Sequence, residues 1–392
     1  MLLAAVASVF CPHASDGAQA QSAQRHDAIV RMFRETRPAP APLVPFEQAW
    51  TLTLRFPPSA SGAIDDERVY IPLRQNLLVA LDRETGLLAW IRPIETTTPP
   101  AVGGGSVFVV SRGAVWALEA ATGTYLWSVP IETPVTAPLL WDNGWLIAIA
   151  EPGEVLAFRA ADGRLVWRQP VGATSPHAAV PGGEAALYFS LSDGRVLALA
   201  LETGARLWER QFPGTLSPPA AARDRVLVGS TDNFAYALDP ESGREAWKWR
   251  NGGDVIGIAV DGELVYIASL DNILRAVNRG NGNQRWRKPT GTRPVLPPRA
   301  FGGIAVLPGL MPAITVFVGE TGAVMGTHAA QGDLVGPPLM DPAPHPFRVA
   351  FVTITREGVV EALRPAAMMF RETAPVPVAV LPGRAVARER VD

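Results

Sequence analysis

The chain has 392 residues, 48% of them hydrophobic and 18% charged, with a formal net charge of −2. That balance describes a well-packed body. It excludes a disordered chain and a basic nucleic-acid-binding surface, and beyond the N-terminus no apolar run is long enough for a membrane-spanning helix. With one cysteine, Cys11, and five scattered histidines, an intramolecular disulfide is excluded and no metal site is expected.

Residues 1–20 read as a signal-like segment: an apolar run over 2–10, then Ala18-Gln19-Ala20 as a small-x-small cleavage site. Cys11 opens a second reading, an acylated lipoprotein cysteine, although Phe10 is a poor residue to precede it. Residues 21–45 read as a linker, with a short polar helix over 24–37 and a stiff spacer, Pro38-Ala39-Pro40-Ala41-Pro42.

From residue 46 the chain is periodic. Tryptophan stands at Trp50, Trp90, Trp127, Trp167, Trp208, Trp247 and Trp286, at intervals of 37 to 41 residues. From Trp90 on, each follows a glycine by four residues: Gly86, Gly123, Gly163, Gly204, Gly243 and Gly282. Six residues before each glycine stands an alanine, from Ala80 to Ala276. A coupled period near 40 marks a repeat architecture. One unit, 216–249, reads as four short strands: an opening strand over 216–222, then 226–229, 234–238 and 244–249. Turns at Arg223-Asp224, at 230–233 and at Asp239-Pro240-Glu241-Ser242-Gly243 separate them. Four antiparallel strands in this length make one blade of a β-propeller. The glycine then supplies the positive φ of the last turn. The alanine is small because sheets approach closely there, and the tryptophan docks one blade on the next, with an indole N–H that needs a partner.

A seventh unit follows at Gly322, where Gly326 occupies the tryptophan position. Residues 348–353 and 359–363 supply two more strands without an outer one, while Trp50 lies on an outer strand with no unit before it. The expected fold is therefore all-β: an eight-bladed propeller over residues 46–366, the N-terminal strand completing the last blade. Seven blades is the alternative. Gly326→Trp is expected to raise stability, or to clash if that blade has been rebuilt. Residues 367–392 read as an extended or disordered tail.

The element Ala80-Leu81-Asp82-Arg83-Glu84-Thr85-Gly86-Leu87-Leu88-Ala89-Trp90 resembles the repeat of the PQQ-binding-like propellers, and the resemblance extends over about residues 46–363. Two subgroups give different expectations. The quinoprotein dehydrogenases imply a quinone, a vicinal disulfide, a Ca²⁺ site and a catalytic aspartate. One cysteine and the inner-strand runs Pro100-Ala101-Val102, Pro138-Leu139-Leu140, His177-Ala178-Ala179, Pro219-Ala220-Ala221 and Ile258-Ala259-Val260 argue against them. The outer-membrane assembly factors of the BamB type imply a non-catalytic protein-binding scaffold in the periplasm or at the inner face of the outer membrane. Their partner would be the outer-membrane insertase complex, with no cofactor, no nucleic acid, and membrane contact only through an N-terminal anchor such as Cys11. In that subgroup long loops after the fourth and fifth outer-strand tryptophans carry the partner contacts. Here the corresponding loops, 169–177 and 211–219, are short. A generic exported binding propeller is the third class.

Outside the motif, Trp141 and Trp145 flank Asn143-Gly144 and are the candidate partner-binding residues, or else the ordinary cover of a hairpin. Asp65-Asp66-Glu67 reads as a solvated turn. Gly103-Gly104-Gly105 has no following helix to form a phosphate cradle.

Overall fold

Why this chain meanders is plain from its turns: glycine, asparagine and aspartate recur between apolar runs of five or six residues, too short for helices. The computed structural model describes residues 46–366, apart from 136, 184, 311–312 and 341–347. All of these lie in the larger of two units, Pro42–Asp392. The signal-like segment with Cys11, the linker before Phe46 and the tail after residue 366 lie outside the described residues.

Eight four-stranded antiparallel sheets succeed one another as the blades of a ring. Blade 1 occupies residues 63–92, blade 2 101–130, blade 3 140–170 and blade 4 180–211. Blades 5, 6 and 7 occupy 220–250, 255–289 and 299–329. Blade 8 joins Leu339–Met340, Phe351–Ile354 and Val359–Pro365 to the strand Phe46–Thr53, which pairs antiparallel with Val359–Pro365 as the outer strand. Seven blades is thereby set aside, since residues 299–329 form a sheet of their own. The opening strand expected over 216–222 shrinks to Ala220–Ala222. Pro218 and Pro219 lack ladder N–H groups, and Leu216 retains only an isolated bridge to Ser230.

A single row of residues crosses each blade from axis to rim. In blade 2 it runs Ala101, Phe108, Ala117, Trp127; in blade 5, Ala220, Leu227, Ala237, Trp247. The motif alanine thus lies directly opposite the tryptophan. Immediately beyond this pair every one of the eight outer strands carries an extra residue, a β-bulge, such as Leu126 in blade 2 or Ala49 in blade 8. Such a bulge twists the strand and re-aims its side chains, here at the point where the indole turns toward the neighbouring blade.

In sequence each tryptophan is spaced from the glycine of its own unit, but in space it meets the glycine of the next. Trp90 lies against Gly123, Trp127 against Gly163, and so on to Trp286 against Gly322, with Trp50 against Gly86 closing the ring. These seven glycines have φ between +65° and +72°. A Cβ built on any of them would lie within 2.5–2.8 Å of the indole above it. Each indole N–H also donates to a carbonyl just before that glycine, from Arg83 for Trp50 to Gly319 for Trp286, at 2.7–3.1 Å. Such a bond contributes about 1 kcal/mol, and a buried partner left alone would cost more. The apolar core is correspondingly divided into eight clusters, one at each seam between blades. A meander buries both faces only by stacking on its neighbours.

Two seams depart from the rule. Between blades 7 and 8 the pair Val316–Gly326 replaces alanine–tryptophan. Blade 8 has no turn joining its third strand to its outer strand, because these are Val359–Pro365 and Phe46–Thr53 from the two ends of the propeller sequence. Among the described residues, an indole at residue 326 would therefore have no glycine turn of blade 8 to rest on. Phe46 is buried at this seam instead, edge-on to Phe351 at 5.0 Å between ring centres. Between blades 8 and 1, Trp50 is joined by a polar clasp. Arg83, buried to 1% exposure, donates to the carbonyls of Val349 (3.1 Å) and Asp65 (3.2 Å). Glu84 accepts the Val349 N–H at 3.1 Å and pairs with Arg348 at 3.3 Å. A guanidinium taken out of water needs such acceptors.

Candidate functional site

The turns between the inner two strands and those between the outer two strands lie on one face of the ring. There a cleft of about 600 Å³ opens between blades 1 and 2, lined by Asp65, Asp66, Glu67, Arg68, Glu119 and Trp141 among others. Asp65 is fully engaged: its carboxylate accepts the N–H groups of Glu67 (2.8 Å) and Arg68 (2.7 Å) and the Tyr70 hydroxyl (2.7 Å). Burial, reinforced by that carboxylate, pushes the Tyr70 hydroxyl far above the usual phenol range, so it remains a donor. Asp66 and Glu67 are exposed and Glu119 is half-buried. The turn read as merely solvated is thus half structural, and only its second and third carboxylates face a visitor.

Trp141 and Trp145 are both half-buried, and the structure does not bring them together. Trp141 pairs with Leu146 and packs toward blade 2, whereas Trp145 pairs with Asp142 and packs toward blade 4. Trp141 lies flat on Gly103 and Gly104, where a Cβ would come within 2.0 Å and 3.2 Å of the ring. The glycine run that made no phosphate cradle is therefore the platform of an indole. Trp141 is only half-buried and shares the lining of the cleft with those carboxylates.

Blades 6 and 7 form a second cleft on this face, of about 680 Å³, with Asp261, Glu263, Arg285 and Glu320. A third surface is the rim. Leu88 (60% exposed), Leu126 (51%), Val166 (47%) and Leu207 (50%) form an apolar arc on the outer strands of blades 1 to 4. Blades 5 and 6 carry charged residues there, Glu245 and Arg285. The two short loops after Trp167 and Trp208 do not project. Val171, Ala173 and Ser175 of the first are buried, as are Phe212, Leu216 and Ser217 of the second. The Ser175 hydroxyl holds the first loop down by donating to the Ser190 carbonyl at 2.9 Å.

The innermost residues of the eight rows are Ala63, Ala101, Leu140, Val180, Ala220, Ala259, Arg299 and Leu339. Seven are apolar and one is cationic; inspection of blades 2 to 6 alone passes over the exception in blade 7. No carboxylate belongs to this row, and among the described residues no group of three or more His, Cys, Asp or Glu side chains is placed to hold a metal. A quinone held with calcium needs convergent oxygen ligands, and these residues do not fit one.

A family profile described as "Outer membrane protein assembly factor BamB" matches residues 47–179, 74–217 and 192–337. Among curated proteins, the assembly factor BamB of Burkholderia pseudomallei (strain K96243) is 27% identical over 208 residues, 46% of this chain and 52% of that protein. That of Yersinia pestis is 28% identical over 176 residues, 39% of this chain and 43% of that one. The chain thus aligns with about half the length of the curated relatives it matches. Among solved structures, BamB from Moraxella catarrhalis superposes with a TM-score of 0.67 at 17% identity, over 81% of this chain and 99% of that one. The quinohemoprotein alcohol dehydrogenase ADHIIG from Pseudomonas putida HK5 gives 0.64 at 14% identity, over 84% and 78%. At such identities the likeness to these two structures shows the fold alone. The profile, by contrast, spans residues 47–337, most of the propeller, and on that match the chain belongs to the family of the outer membrane protein assembly factor BamB.

Proposed function

We propose that this chain is a non-catalytic, protein-binding scaffold of the bacterial envelope that supports outer-membrane protein assembly. The observation that carries the reading is the family match across residues 47–337. It is supported by a surface suited to protein contact, namely the acidic cleft edged by Trp141 and the apolar arc on blades 1 to 4. An aromatic edge beside exposed carboxylates suits a partner segment that brings Arg or Lys. Export would use the N-terminal segment, with cleavage after residue 20 or acylation of Cys11 as its two forms.

The test is crosslinking in intact cells followed by affinity capture of the tagged full chain, comparing wild type with Asp66→Lys/Glu67→Lys. Both residues are exposed, so the double variant should fold as the parent does. Recovery of the outer-membrane insertase by wild type, and its loss in the variant, is the expected result. Capture of unrelated proteins only, or unaltered outer-membrane protein levels in a deletion strain, would defeat the proposal. Mature-protein sequencing that finds Met1 intact would defeat export. Alcohol oxidation by purified protein supplied with quinone and Ca²⁺ would instead establish the dehydrogenase reading.

A further inference from the structure

The second strand of each blade places one residue opposite the motif alanine, and in blades 1, 4 and 6 that residue is a tyrosine: Tyr70, Tyr188 and Tyr266. All three are buried, so each phenol O–H calls for a partner. The Tyr70 hydroxyl donates to the Asp65 carboxylate at 2.7 Å, and that of Tyr188 to the Pro240 carbonyl at 3.2 Å. Tyr266 is 1% exposed, and among the described residues its hydroxyl makes no hydrogen bond. Asp261 precedes Tyr266 by the same five residues that separate Asp65 from Tyr70. Its carboxylate is instead drawn to the next blade, where it accepts the Gly303 N–H at 2.6 Å.

That hydroxyl belongs to the cleft of about 680 Å³ between blades 6 and 7. Tyr266 and Gly319 both line the cleft, and a Cβ built on Gly319 would collide with the Tyr266 oxygen, which therefore lies over the glycine at the cleft floor. Asp261, Glu263 and Glu320 line it as well, against one guanidinium, Arg285. Glu263 is held by Arg279 at 3.0 Å, whereas Glu320 and Arg285 make no ion pair among the described residues. Half-buried Leu264 and Val318 supply an apolar wall. Burial, reinforced by the Asp261 charge, pushes the Tyr266 hydroxyl up to about 12, so it stays neutral and can accept as well as donate. Among the described residues these carboxylates are not grouped to hold a metal ion. A neutral acceptor at the floor with carboxylates beside it suits a cation that carries several N–H donors.

We propose that the cleft between blades 6 and 7 binds a primary alkylammonium group, its N–H donors shared between the Tyr266 hydroxyl oxygen and the Asp261 and Glu320 carboxylates, its methylenes laid on Leu264 and Val318. A free diamine and a lysine side chain both present this group, a charged head on an apolar stem. The site does not depend on the envelope-scaffold reading, since either could fail alone.

The experiment is equilibrium dialysis of the purified full chain at low ionic strength against radiolabelled putrescine and, in separate cells, radiolabelled Nα-acetyl-lysine methylamide. Wild type, Tyr266→Phe and Glu320→Gln are compared. We expect saturable binding of one equivalent in at least one arm, weakened by about tenfold in Tyr266→Phe, which loses a hydrogen bond to a charged group, and weakened also in Glu320→Gln. Which arm binds identifies the free diamine or the lysine side chain as the source. Excess tetramethylammonium, which has the charge but no N–H, should not displace the ligand. Tyr266→Phe should melt no lower than wild type, because it deletes a hydroxyl that no protein group satisfies. Absence of saturable binding in both arms, equal affinity in Tyr266→Phe, or displacement by tetramethylammonium would overturn the site. So would a lower melting temperature for Tyr266→Phe, since the hydroxyl would then be bonded within the protein.

Discussion

The most discriminating perturbation is a double-mutant cycle between Trp247 and Gly282, residues 35 apart in sequence that meet at the seam of blades 5 and 6. Trp247 is 9% exposed and donates to the Arg279 carbonyl at 2.8 Å. Trp247→Ala removes a large buried ring and that bond, for a cost of about 3–5 kcal/mol. Gly282 has φ +72°, and a Cβ there would lie 2.8 Å from the indole. Gly282→Ala thus combines left-handed backbone strain of about 1–2 kcal/mol with a collision. In the double variant the strain persists and the collision is gone. The double variant should therefore cost about 1–2 kcal/mol less than the sum of the singles, well outside the roughly 0.5 kcal/mol scatter of independent sites. Urea unfolding measured at constant m reads the difference as a shift in midpoint. Additive singles would refute the reasoning, leaving the glycine as a turn residue only.

Three further outcomes follow from the same geometry. Phe46→Ala should destabilise the protein by about 3–4 kcal/mol and make the strand Phe46–Thr53 the first site of limited proteolysis, since Phe46 plugs the one seam without a tryptophan; cleavage elsewhere first would argue against it. Gly326→Trp should lower the melting temperature rather than raise it, because the position is buried and blade 8 offers no glycine turn to receive the ring. Burial holds His177 below its ordinary value of 6.5. The folded pKa being the lower one, the unfolded chain takes the proton first on acidification, so the stability in question is present above about pH 6.5 and lost as pH falls toward the folded pKa. His177→Gln should flatten the decline in melting temperature between about pH 6.5 and 5, and an unchanged slope would dismiss this assignment.

Blade number, strand order and the closure by Phe46–Thr53 were all legible in the sequence, since each rests on local signals. Turn residues set the hairpins, the alanine–glycine–tryptophan period counts the units, and Trp50 without a preceding unit calls for a partner at the other end. The candidate site was much less legible. Trp141 and Trp145 look like one patch because they are four residues apart, yet a hairpin whose side chains alternate sends them to opposite faces of blade 3. Arg83 reads as a variable motif position, but ring closure buries it against Val349, 266 residues away.

The amino-acid sequence alone thus determined what each blade is, because turn chemistry and a cross-strand alanine–tryptophan pair act within about 40 residues. Only the tertiary structure decided what each blade meets. Trp90 leaves Gly86 for Gly123, Gly326 loses the need for an indole, and Trp141 and Trp145 part to opposite seams of blade 3. These contacts arise between units, where stacking geometry and desolvation, which have no counterpart in local spacing, set the environment of each side chain.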